Sequence, residues 1–199
     1  MPEQVLAGVK SAVVGSWHSL ALKNDETLWG WGYNWCQQVI NDPSMQNRWA
    51  PVQMMSGVMG MAAGSGHTLI LKTDGTLWAR GNNYYGQLCD GTYHDRVVTV
   101  QVMSDVLNVA AAYNHSMVLK VDSTVWVCGS GVLGDGFSGT RYSPVQVMSH
   151  VKTMATGEYH SLFVKNDGTL WGCGGNEYGQ LGTGDTVTRL TPVRVIPPQ

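Results

Sequence analysis

Four histidines recur along the chain at nearly regular intervals, and they are the residues best suited to bind a metal ion. Equivalent residues of a repeat protein can converge on one axis, so a ring of imidazoles is conceivable. Zinc sites usually combine closely spaced ligands with carboxylates that orient them, and neither pattern surrounds these positions. We therefore predict no bound metal and a structural role, with each ring bonded to backbone of its own repeat, for His18, His67, His115 and His160.

Four arginines follow the same period and could form an anion-binding ring. Each stands three residues before a Pro-Val or Thr-Val pair. Because this spacing is fixed, we expect each guanidinium to bridge an acidic or carbonyl group within its own repeat. The four are Arg48, Arg96, Arg141 and Arg189.

Catalytic signatures are missing from the sequence. It has no Gly-x-Ser-x-Gly elbow, no Gly-Lys-Ser/Thr phosphate loop, no His-Glu-x-x-His and no paired-cysteine metal motif. The glycine-rich "GSGVLGDG" at 129–136 lacks a following helix and is a weak signal for phosphate. We predict that the protein is not an enzyme, with no catalytic residue and no cofactor.

One twelve-residue motif recurs four times along the sequence. The versions are "HSLALKNDETLW", "HTLILKTDGTLW", "HSMVLKVDSTVW" and "HSLFVKNDGTLW", and a Pro-Val segment such as "PVQMMSGV" keeps the same period of 45 to 49 residues. Short β-branched runs bounded by turn residues are typical of strands. The tryptophans that end each copy are interpreted as core residues: Trp29, Trp78, Trp126 and Trp171.

Four short strands per repeat predict an all-β propeller of four-stranded antiparallel blades, with four repeats in one domain, 1–199. Taking the Pro-Val strand as the first of each blade places the units at about 2–50, 51–98, 99–143 and 144–199. Asp74-Gly75 and Asp167-Gly168 match two-residue hairpin turns. Glu26 and Ser123 replace the glycine in copies one and three, so we expect less well-formed turns there.

The ordered motifs Gly-x-x-His, Asp-Gly-Thr-Leu-Trp and Gly-Asn-x-x-Gly-Gln-Leu resemble the regulator-of-chromosome-condensation repeat family. They stand in "GHTLILKTDGTLWARGNNYYGQL" and "HSLFVKNDGTLWGCGGNEYGQLGTGD", and the resemblance extends over essentially the whole chain. It implies a β-propeller, most often of seven blades, that uses its surfaces to bind proteins. This chain departs from the family in having four copies, with "GYNWCQQV" in copy one and a shortened loop in copy three.

Aromatic residues vary where the repeat otherwise holds constant, just before each histidine and in the loop after each tryptophan. Trp and Tyr are preferred anchors for protein partners, although some could instead cover blade edges. The leading hypothesis is a non-catalytic module that presents these loops to a protein. The candidate binding residues are Trp17, Trp35, Tyr84, Tyr85, Tyr159 and Tyr178.

Two other functions stay open at this stage. The aromatic loops could stack on sugar rings, with Asn34, Asn83 and Asn176 as polar companions, which would make the protein a lectin-like propeller. The family resemblance also allows a regulator of a small GTPase that acts as a guanine-nucleotide exchange factor. The few blades and the lack of a basic tail weaken that last alternative.

Charge and composition limit the partners. The net charge is −2 and the pI is about 6.3, so no electrostatic argument favours nucleic acid or an anionic membrane. No apolar run is long enough to span a bilayer, and the first residues do not resemble a signal peptide. The four cysteines do not resemble a disulfide framework, because Cys128 and Cys173 take equivalent positions while Cys36 and Cys89 fall in loops. We expect a cytoplasmic, reduced protein.

The two ends of the chain are versions of one strand, "PEQVL" and "PVRVI". Four blades shaped for a wider ring would leave an open arc with an apolar face at each end. We therefore predict a homodimer in which two arcs share eight blades and the terminal strands complete blades at the junctions. A closed four-bladed monomer and a fragment of a longer propeller are the alternatives.

Overall fold

The computed structural model describes residues 4–195, and these residues form sixteen strands in four antiparallel sheets. Each sheet contains four consecutive strands in chain order, which confirms the all-β blade architecture. We name the sheets blades 1 to 4. The strands are β1 Val9–Val14, β2 His18–Lys23, β3 Leu28–Gly32, β4 Arg48–Met55, β5 Val58–Ala63, β6 His67–Lys72, β7 Leu77–Gly81, β8 Arg96–Met103, β9 Val106–Ala111, β10 His115–Lys120, β11 Val125–Val132, β12 Ser138–Met148, β13 Val151–Thr156, β14 His160–Lys165, β15 Leu170–Gly174 and β16 Arg189–Arg194.

The grouping of strands corrects the predicted unit boundaries. The Pro-Val strand pairs with the tryptophan strand before it, as β4 does with β3, so it closes a blade instead of opening one. The four sheets therefore span 9–55, 58–103, 106–148 and 151–194, and the predicted boundaries at 50, 98 and 143 cut through strands. A repeat period fixes the length of a unit but not its origin, which only the hydrogen-bond ladder decides.

The predicted N-terminal strand at "PEQVL" is not found in the described residues. Residues 1–3 lie outside them, and residues 4–8 form no strand. Each of the four blades already has its four strands from one continuous segment, so no strand is surplus.

The hairpins that join the second and third strands of each blade are three-residue loops, not the predicted two-residue turns. In blade 2 the Gly75 N–H donates to the Lys72 carbonyl, which makes a β-turn. Gly75 is the last residue of the loop and has a left-handed φ of 78°. Glu26 and Ser123 adopt the same left-handed conformation, at 63° and 66°, and their N–H groups make the same bond. The expectation that these two turns are less well formed is therefore wrong.

The repeated Asp-x-Thr-apolar-Trp segment explains this uniformity. Asp74 Oδ1 accepts from the Thr76 N–H at 3.0 Å and from the Thr76 hydroxyl at 2.6 Å, and Trp78 Nε1 donates to that hydroxyl at 2.9 Å. The threonine bonds hold the pKa of the aspartate below its ordinary value. The same three bonds occur in all four copies, and the tryptophans are half-buried beside the cores.

Three apolar cores lie between consecutive blades. Strands β1, β5, β9 and β13 carry small residues and approach one another, so they form the inner edge of the blades. The side chains Leu20, Leu22 and Leu28 of blade 1 pack against Val58 and Ile70 of blade 2. Equivalent leucine, methionine and valine residues build the next two cores, where blade 2 meets blade 3 and blade 3 meets blade 4. Each blade thus buries its apolar faces only by stacking on its neighbours.

The cysteines depart from the expectation of a fully reduced protein. Cys89, in the loop after β7, and Cys128, on β11, form a disulfide that joins blade 2 to blade 3. Cys173 remains a free buried thiol and Cys36 a half-buried one. The repeat pattern does not reveal this disulfide, because the two bonded cysteines occupy different positions in different copies.

Candidate functional site

The exposed aromatic residues lie on one side of the propeller. Antiparallel order places the loop between the first two strands of a blade and the loop between its last two strands at the same end, opposite the Asp-x-Thr hairpins. All six candidate binding residues fall in these loops, and so do Tyr113 and Phe137. We call this side the aromatic face and define it by Trp17, Trp35, Tyr84, Tyr85, Tyr113, Phe137, Tyr159 and Tyr178.

Exposure separates the binding and edge-covering interpretations of these residues. Tyr178 is 90 % exposed, Trp17 and Tyr84 are each 68 % exposed, and Trp35 and Tyr159 are each 63 % exposed. Side chains that covered blade edges would be largely buried, whereas these five are open to solvent. Tyr85 is half-buried, and its ring lies edge-on to Tyr84 at 5.0 Å between centroids, which makes it a support for its neighbour.

A cleft of about 470 Å³ opens at the centre of the aromatic face. It is lined by the ends of the inner strands and the following loops of all four blades, including Val14, Trp17, Ala63, Tyr113 and Glu158. Tyr113 is not among the predicted binding residues, because near each histidine these include only the residue directly before it. Its signal was present in the aromatic that precedes Asn114 in copy three.

A second cavity of about 600 Å³ lies beside the central cleft and is lined by loops of blades 1, 2 and 3. Trp17 and Tyr33 supply its apolar wall, and Asn82 and Asn114 supply amides. Cys36 also lines it, and burial, followed by the charge of Asp95, raises the pKa of this thiol. The cavity could accept an apolar or aromatic side chain of a partner, which is how hot-spot residues bind.

Buried asparagines stabilise the outer loops, which join the third and fourth strands of a blade. Asn83 is fully buried, its Oδ1 accepts from the Leu88 N–H at 2.9 Å, and its Nδ2 donates to Asp90 at 2.9 Å. Asn34 and Asn176 are also fully buried and bond their own loops in the same way. These three amides are not available to a ligand, so they cannot act as the polar companions that the sugar-binding interpretation assigned to them.

The arginine series behaves as predicted, because each guanidinium pairs with an aspartate of its own blade. Arg96 Nε lies 2.6 Å from Asp90 Oδ2, and Arg141 Nε lies 2.6 Å from Asp135 Oδ2. The other two pairs are Arg48 with Asp42 and Arg189 with Asp185. In all four pairs the aspartate lies in the loop after the third strand of the blade and the arginine lies on the fourth strand, so the pair ties the loop to the blade.

Charges are distributed unevenly between the two sides of the propeller. All six lysines lie at the hairpin end of their strands, on the side opposite the aromatic face. Once the four ion pairs and the buried Arg80, which donates to the Gln37 and Val97 carbonyls, are set aside, the described side chains that remain charged on the aromatic face are carboxylates: Asp95, Glu158 and Glu177. The face is therefore aromatic and acidic.

The histidine series joins consecutive blades and forms no metal ring. His18 Nε2 lies 3.0 Å from the Thr68 hydroxyl of blade 2, and His67 Nε2 lies 3.0 Å from the Ser116 hydroxyl of blade 3. In the third junction the hydroxyl is Thr156, 2.8 Å from His115 Nε2. The prediction of bonds to backbone within each repeat is therefore wrong for these rings. Within residues 4–195, no three metal-ligating side chains come together.

Hydrogen bonding and burial define the tautomer and the charge of these histidine rings. The Thr68 hydroxyl donates to the Gln38 carbonyl at 2.8 Å, and the Ser116 hydroxyl donates to the Gln87 carbonyl at 2.6 Å. Each hydroxyl proton is thus committed, so the histidine donates from Nε2. Burial lowers the pKa of His18 and His115 to about 4 and that of His67 to about 3, so all three are neutral at pH 7.

The fold and its repeated bonds define a β-propeller whose blades repeat one plan. The sequence profile described as "Regulator of chromosome condensation (RCC1) repeat" matches residues 9–38, 60–87 and 151–180, and a second profile of the same description matches residues 167–199. Together they cover more than half of the chain. The protein belongs to the regulator of chromosome condensation repeat family.

Solved structures with the same fold include human WBSCR16, at 24 % identity and a TM-score of 0.88, over 100 % of this chain and 56 % of that one. Yeast Prp20 bound to Kap60 gives 20 % identity and a TM-score of 0.81, over 94 % of this chain and 48 % of that one. Prp20p from Saccharomyces cerevisiae gives 21 % identity and 0.78, over 94 % and 50 %. The chain spans about half the length of these proteins. No protein of curated function matches its sequence.

Residues 4–195 include no helix of the length and apolar character that crossing a bilayer requires.

Proposed function

We propose that the protein is a non-catalytic binding module whose aromatic face docks a protein partner. The observation that carries this proposal is the collection of large, exposed aromatic side chains on one side of the blades, around the central cleft. Monomeric proteins rarely expose such groups together without an interaction to cover them. The buried asparagines and the Arg–Asp pairs hold the loops rigid, which lowers the entropic cost of binding.

The charge of the aromatic face selects the class of partner. Its exposed unpaired charges are carboxylates, so a partner that presents lysine or arginine is favoured and a nucleic-acid backbone is repelled. Tyrosine and tryptophan rings add to this preference, because they attract cations over their faces. We propose a protein surface with a basic segment as the ligand.

Structural relatives give limited support. Prp20p is described with its binding to Gsp1p and histones, and Prp20 was solved bound to Kap60, so propellers of this fold do present surfaces to proteins. The present chain spans about half of those proteins. We do not propose exchange activity, since nothing on the aromatic face distinguishes a GTPase from another protein. Sugar binding loses its support with the burial of Asn34, Asn83 and Asn176.

The test compares two sides of one protein. Trp17→Ala with Tyr159→Ala alters the aromatic face, and Asn24→Ala with Asn166→Ala alters the opposite hairpins as a matched control. Proteins from the native host retained by each immobilised variant are quantified by mass spectrometry. We expect a set retained by wild type and control and lost by the aromatic variant, with binding weakened by roughly 2 kcal/mol or more. Equal retention by all three would refute a role for this face.

We also propose that the protein associates with itself as a homodimer, in addition to binding its partner. A cytoplasmic location remains a prediction. The Cys89–Cys128 disulfide does not favour it, because disulfides persist mainly in oxidising compartments.

A further inference from the structure

The loop that joins the last two strands of blade 3 is shorter than its counterparts in the other blades. Leu133 follows Trp126 by seven residues, whereas the equivalent Leu88 follows Trp78 by ten. Strands β11 and β12 are longer in return, with 8 and 11 residues, where β3, β7 and β15 have 5 each. The missing residues include the counterpart of the loop asparagines that are buried in the other blades: Asn34, Asn83 and Asn176.

A cavity of about 240 Å³ lies beside this short loop, at the internal junction of blades 3 and 4. At ~30 Å³ per water its volume equals about eight waters, which is the scale of one long side chain. The buried ring of His115 lines its base, and two exposed carboxylates line its mouth. We call this cavity the acidic socket and define it by His115, Ser130, Glu158, Tyr159, Glu177 and Thr188.

The imidazole at the base of the acidic socket offers an acceptor. His115 Nε2 lies 2.8 Å from the Thr156 hydroxyl, which itself donates to the Gly157 carbonyl at 2.9 Å, so Nε2 carries the ring proton. Nδ1 is then unprotonated, and it makes no hydrogen bond within residues 4–195. Because burial lowers the pKa of His115 to about 4, the ring adds no positive charge at pH 7. An unpaired acceptor in a side chain that is only 5 % exposed favours a ligand that donates to it.

The remaining lining groups select the charge of that ligand. Glu158 and Glu177 form no ion pair with a described side chain, and no described residue of the lining is lysine or arginine. The hydroxyls of Ser130, Tyr159 and Thr188 are further acceptors. A hydrogen bond with Glu158, followed by its charge, raises the pKa of Tyr159 and ties that ring to the mouth. A negatively charged cavity rich in acceptors favours a cation with several N–H groups.

The larger cavity of about 600 Å³ provides a comparison within the same molecule. Its Ser65 is the repeat counterpart of Glu158, and its Tyr33 is the counterpart of Ser130. None of the described residues that line the larger cavity carries a charge. Equivalent loops thus build one uncharged cavity and one acidic cavity, and only the acidic one complements a basic group.

From this chemistry we propose that the acidic socket binds a lysine or arginine side chain of a protein partner. Glu158 and Glu177 pair with its charge at the mouth, and the His115 ring accepts one of its N–H groups at the base. Glu158 also lines the central cleft, so the partner's backbone can lie in the cleft while this side chain enters the socket. The inference rests on the proposed partner binding and assigns its basic contact to one cavity.

NMR titration of the isotope-labelled 199-residue protein with three short peptides tests this assignment. The peptides are acetylated and amidated Gly-Gly-X-Gly-Gly, in which X is lysine, arginine or norleucine. At least one basic peptide is expected to bind with a Kd on the order of 1 mM, the range for a single anchoring side chain, and to shift the amide signals of Gly131 and Gly175. The norleucine peptide has a similar length but no charge, and it is expected not to bind. A preference between lysine and arginine identifies the cation.

Two double variants show whether the carboxylates of the socket are responsible. Glu158→Gln with Glu177→Gln keeps the shape and removes both charges, so affinity for the basic peptide is expected to fall about tenfold or more. Glu26→Gln with Asp105→Asn removes two charges from exposed turns on the opposite side of the propeller and is the matched control. The control is expected to bind like wild type. Circular dichroism and thermal unfolding confirm the fold of both variants.

Three results would overturn the inference. Absence of binding by both basic peptides shows that the socket takes no such side chain, and equal binding of the norleucine peptide shows that charge is not what it selects. Affinity that survives Glu158→Gln with Glu177→Gln, or signals that shift elsewhere, indicates general attraction to an acidic surface. These readouts involve no host protein, so the docking role of the aromatic face stands or falls by its own retention test.

Discussion

The junction between blades 2 and 3 and the junction between blades 3 and 4 use one plan with two differences. In both, a buried histidine reaches a hydroxyl of the next blade and a hairpin carbonyl accepts a valine N–H. The hairpin residue is Gly75 in the first of these junctions and Ser123 in the second. Where the first has the Cys89–Cys128 disulfide, the second has Gly134 against the free thiol of Cys173.

The difference shows that one repeat position is a contact between blades whatever residue fills it. Cys89 follows the buried Leu88, and Gly134 follows the buried Leu133 in the same way. A Cβ at Gly134 would lie 3.7 Å from Cys173 Cβ, within the range of about 3.5–4.5 Å that disulfides show. The repeated hydrogen bonds thus position the blades at both junctions, and the Cys89–Cys128 disulfide supplements them at one junction.

The largest expected effect is a loss of stability in mild acid, and it tests the shared part of both junctions. The folded-state pKa values of His18, His67 and His115 lie below the unfolded value of about 6.5, so the unfolded chain binds protons first as the pH falls. Stability is complete above pH 6.5 and declines down to pH 4, by on the order of 3 kcal/mol per histidine. Urea unfolding at pH 7.5, 6, 5 and 4.5 measures it.

His67→Gln removes one titrating group and keeps a donor for Ser116. Its stability is expected to depend less steeply on pH than that of wild type over the same window. A wild-type unfolding free energy that stays constant from pH 7.5 to 4.5 would show that these rings are not held neutral.

Breaking the disulfide should make the junction of blades 2 and 3 resemble the next one. Cys89→Ala with Cys128→Ala is expected to lower the free energy of unfolding by about 2–4 kcal/mol, because the link closes a loop spanning 39 residues. Wild type treated with a reductant should fall to nearly the same value. Thiol titration in denaturant checks the bond, with two reactive thiols before reduction and four after it. Unfolding midpoints that ignore the reductant would count against a stabilising link.

Gly134→Cys should give the junction between blades 3 and 4 a disulfide like the one between blades 2 and 3. The new thiol is expected to bond Cys173 and to raise the free energy of unfolding by about 1–3 kcal/mol under oxidising conditions only. Cys89 adopts a left-handed φ of 64° at the equivalent position, whereas φ is 98° at Gly134, so the substitution adds backbone strain that the new bond has to outweigh. Gly134→Cys combined with Cys173→Ala is the control and gains nothing. A variant that retains both thiols in oxidising buffer would show that the blades are held differently there.

The smallest expected effect concerns the hairpins. Ser123→Gly relieves a left-handed residue and is expected to stabilise the protein by less than about 1 kcal/mol, whereas Gly75→Ala introduces the same strain and destabilises it by a similar amount. Paired thermal unfolding curves resolve the two signs. Two shifts in the same direction would mean that backbone strain does not distinguish these turns.

Much of the fold could be predicted, because the residues that recur in every copy have structural roles. The strands, the Arg–Asp pairing within each blade and the common period all follow from residues that recur, such as the Asp74–Thr76–Trp78 network. The start of each blade could not be predicted, because a period has no origin. The targets of the histidines were missed for a related reason: Thr68 serves His18 from the next copy, and one copy's sequence does not show which hydroxyl it meets.

The candidate site was predicted less completely. Variable aromatic residues at constant repeat positions correctly indicated loops, and strand alternation then placed them at one end of the blades. The sequence could not show that Tyr85 is half-buried beneath Tyr84, or that Asn83 is enclosed by its own loop. Both depend on side-chain packing within loops, for which neither period nor propensity gives a rule.

Because every blade is complete within one continuous segment of about 45 residues, the protein can acquire its structure in the order in which it is synthesised. Domains fold from the N-terminus as they leave the ribosome, and local pairing is the fastest kind. Blade 1 can thus form its strand pairing before blade 2 emerges, and each new blade can pack on the apolar face of a blade that has already formed. A propeller that closed by sharing a strand between its two ends would have to wait for its last residue. This one can mature stepwise, with Cys89 already presented when Cys128 arrives.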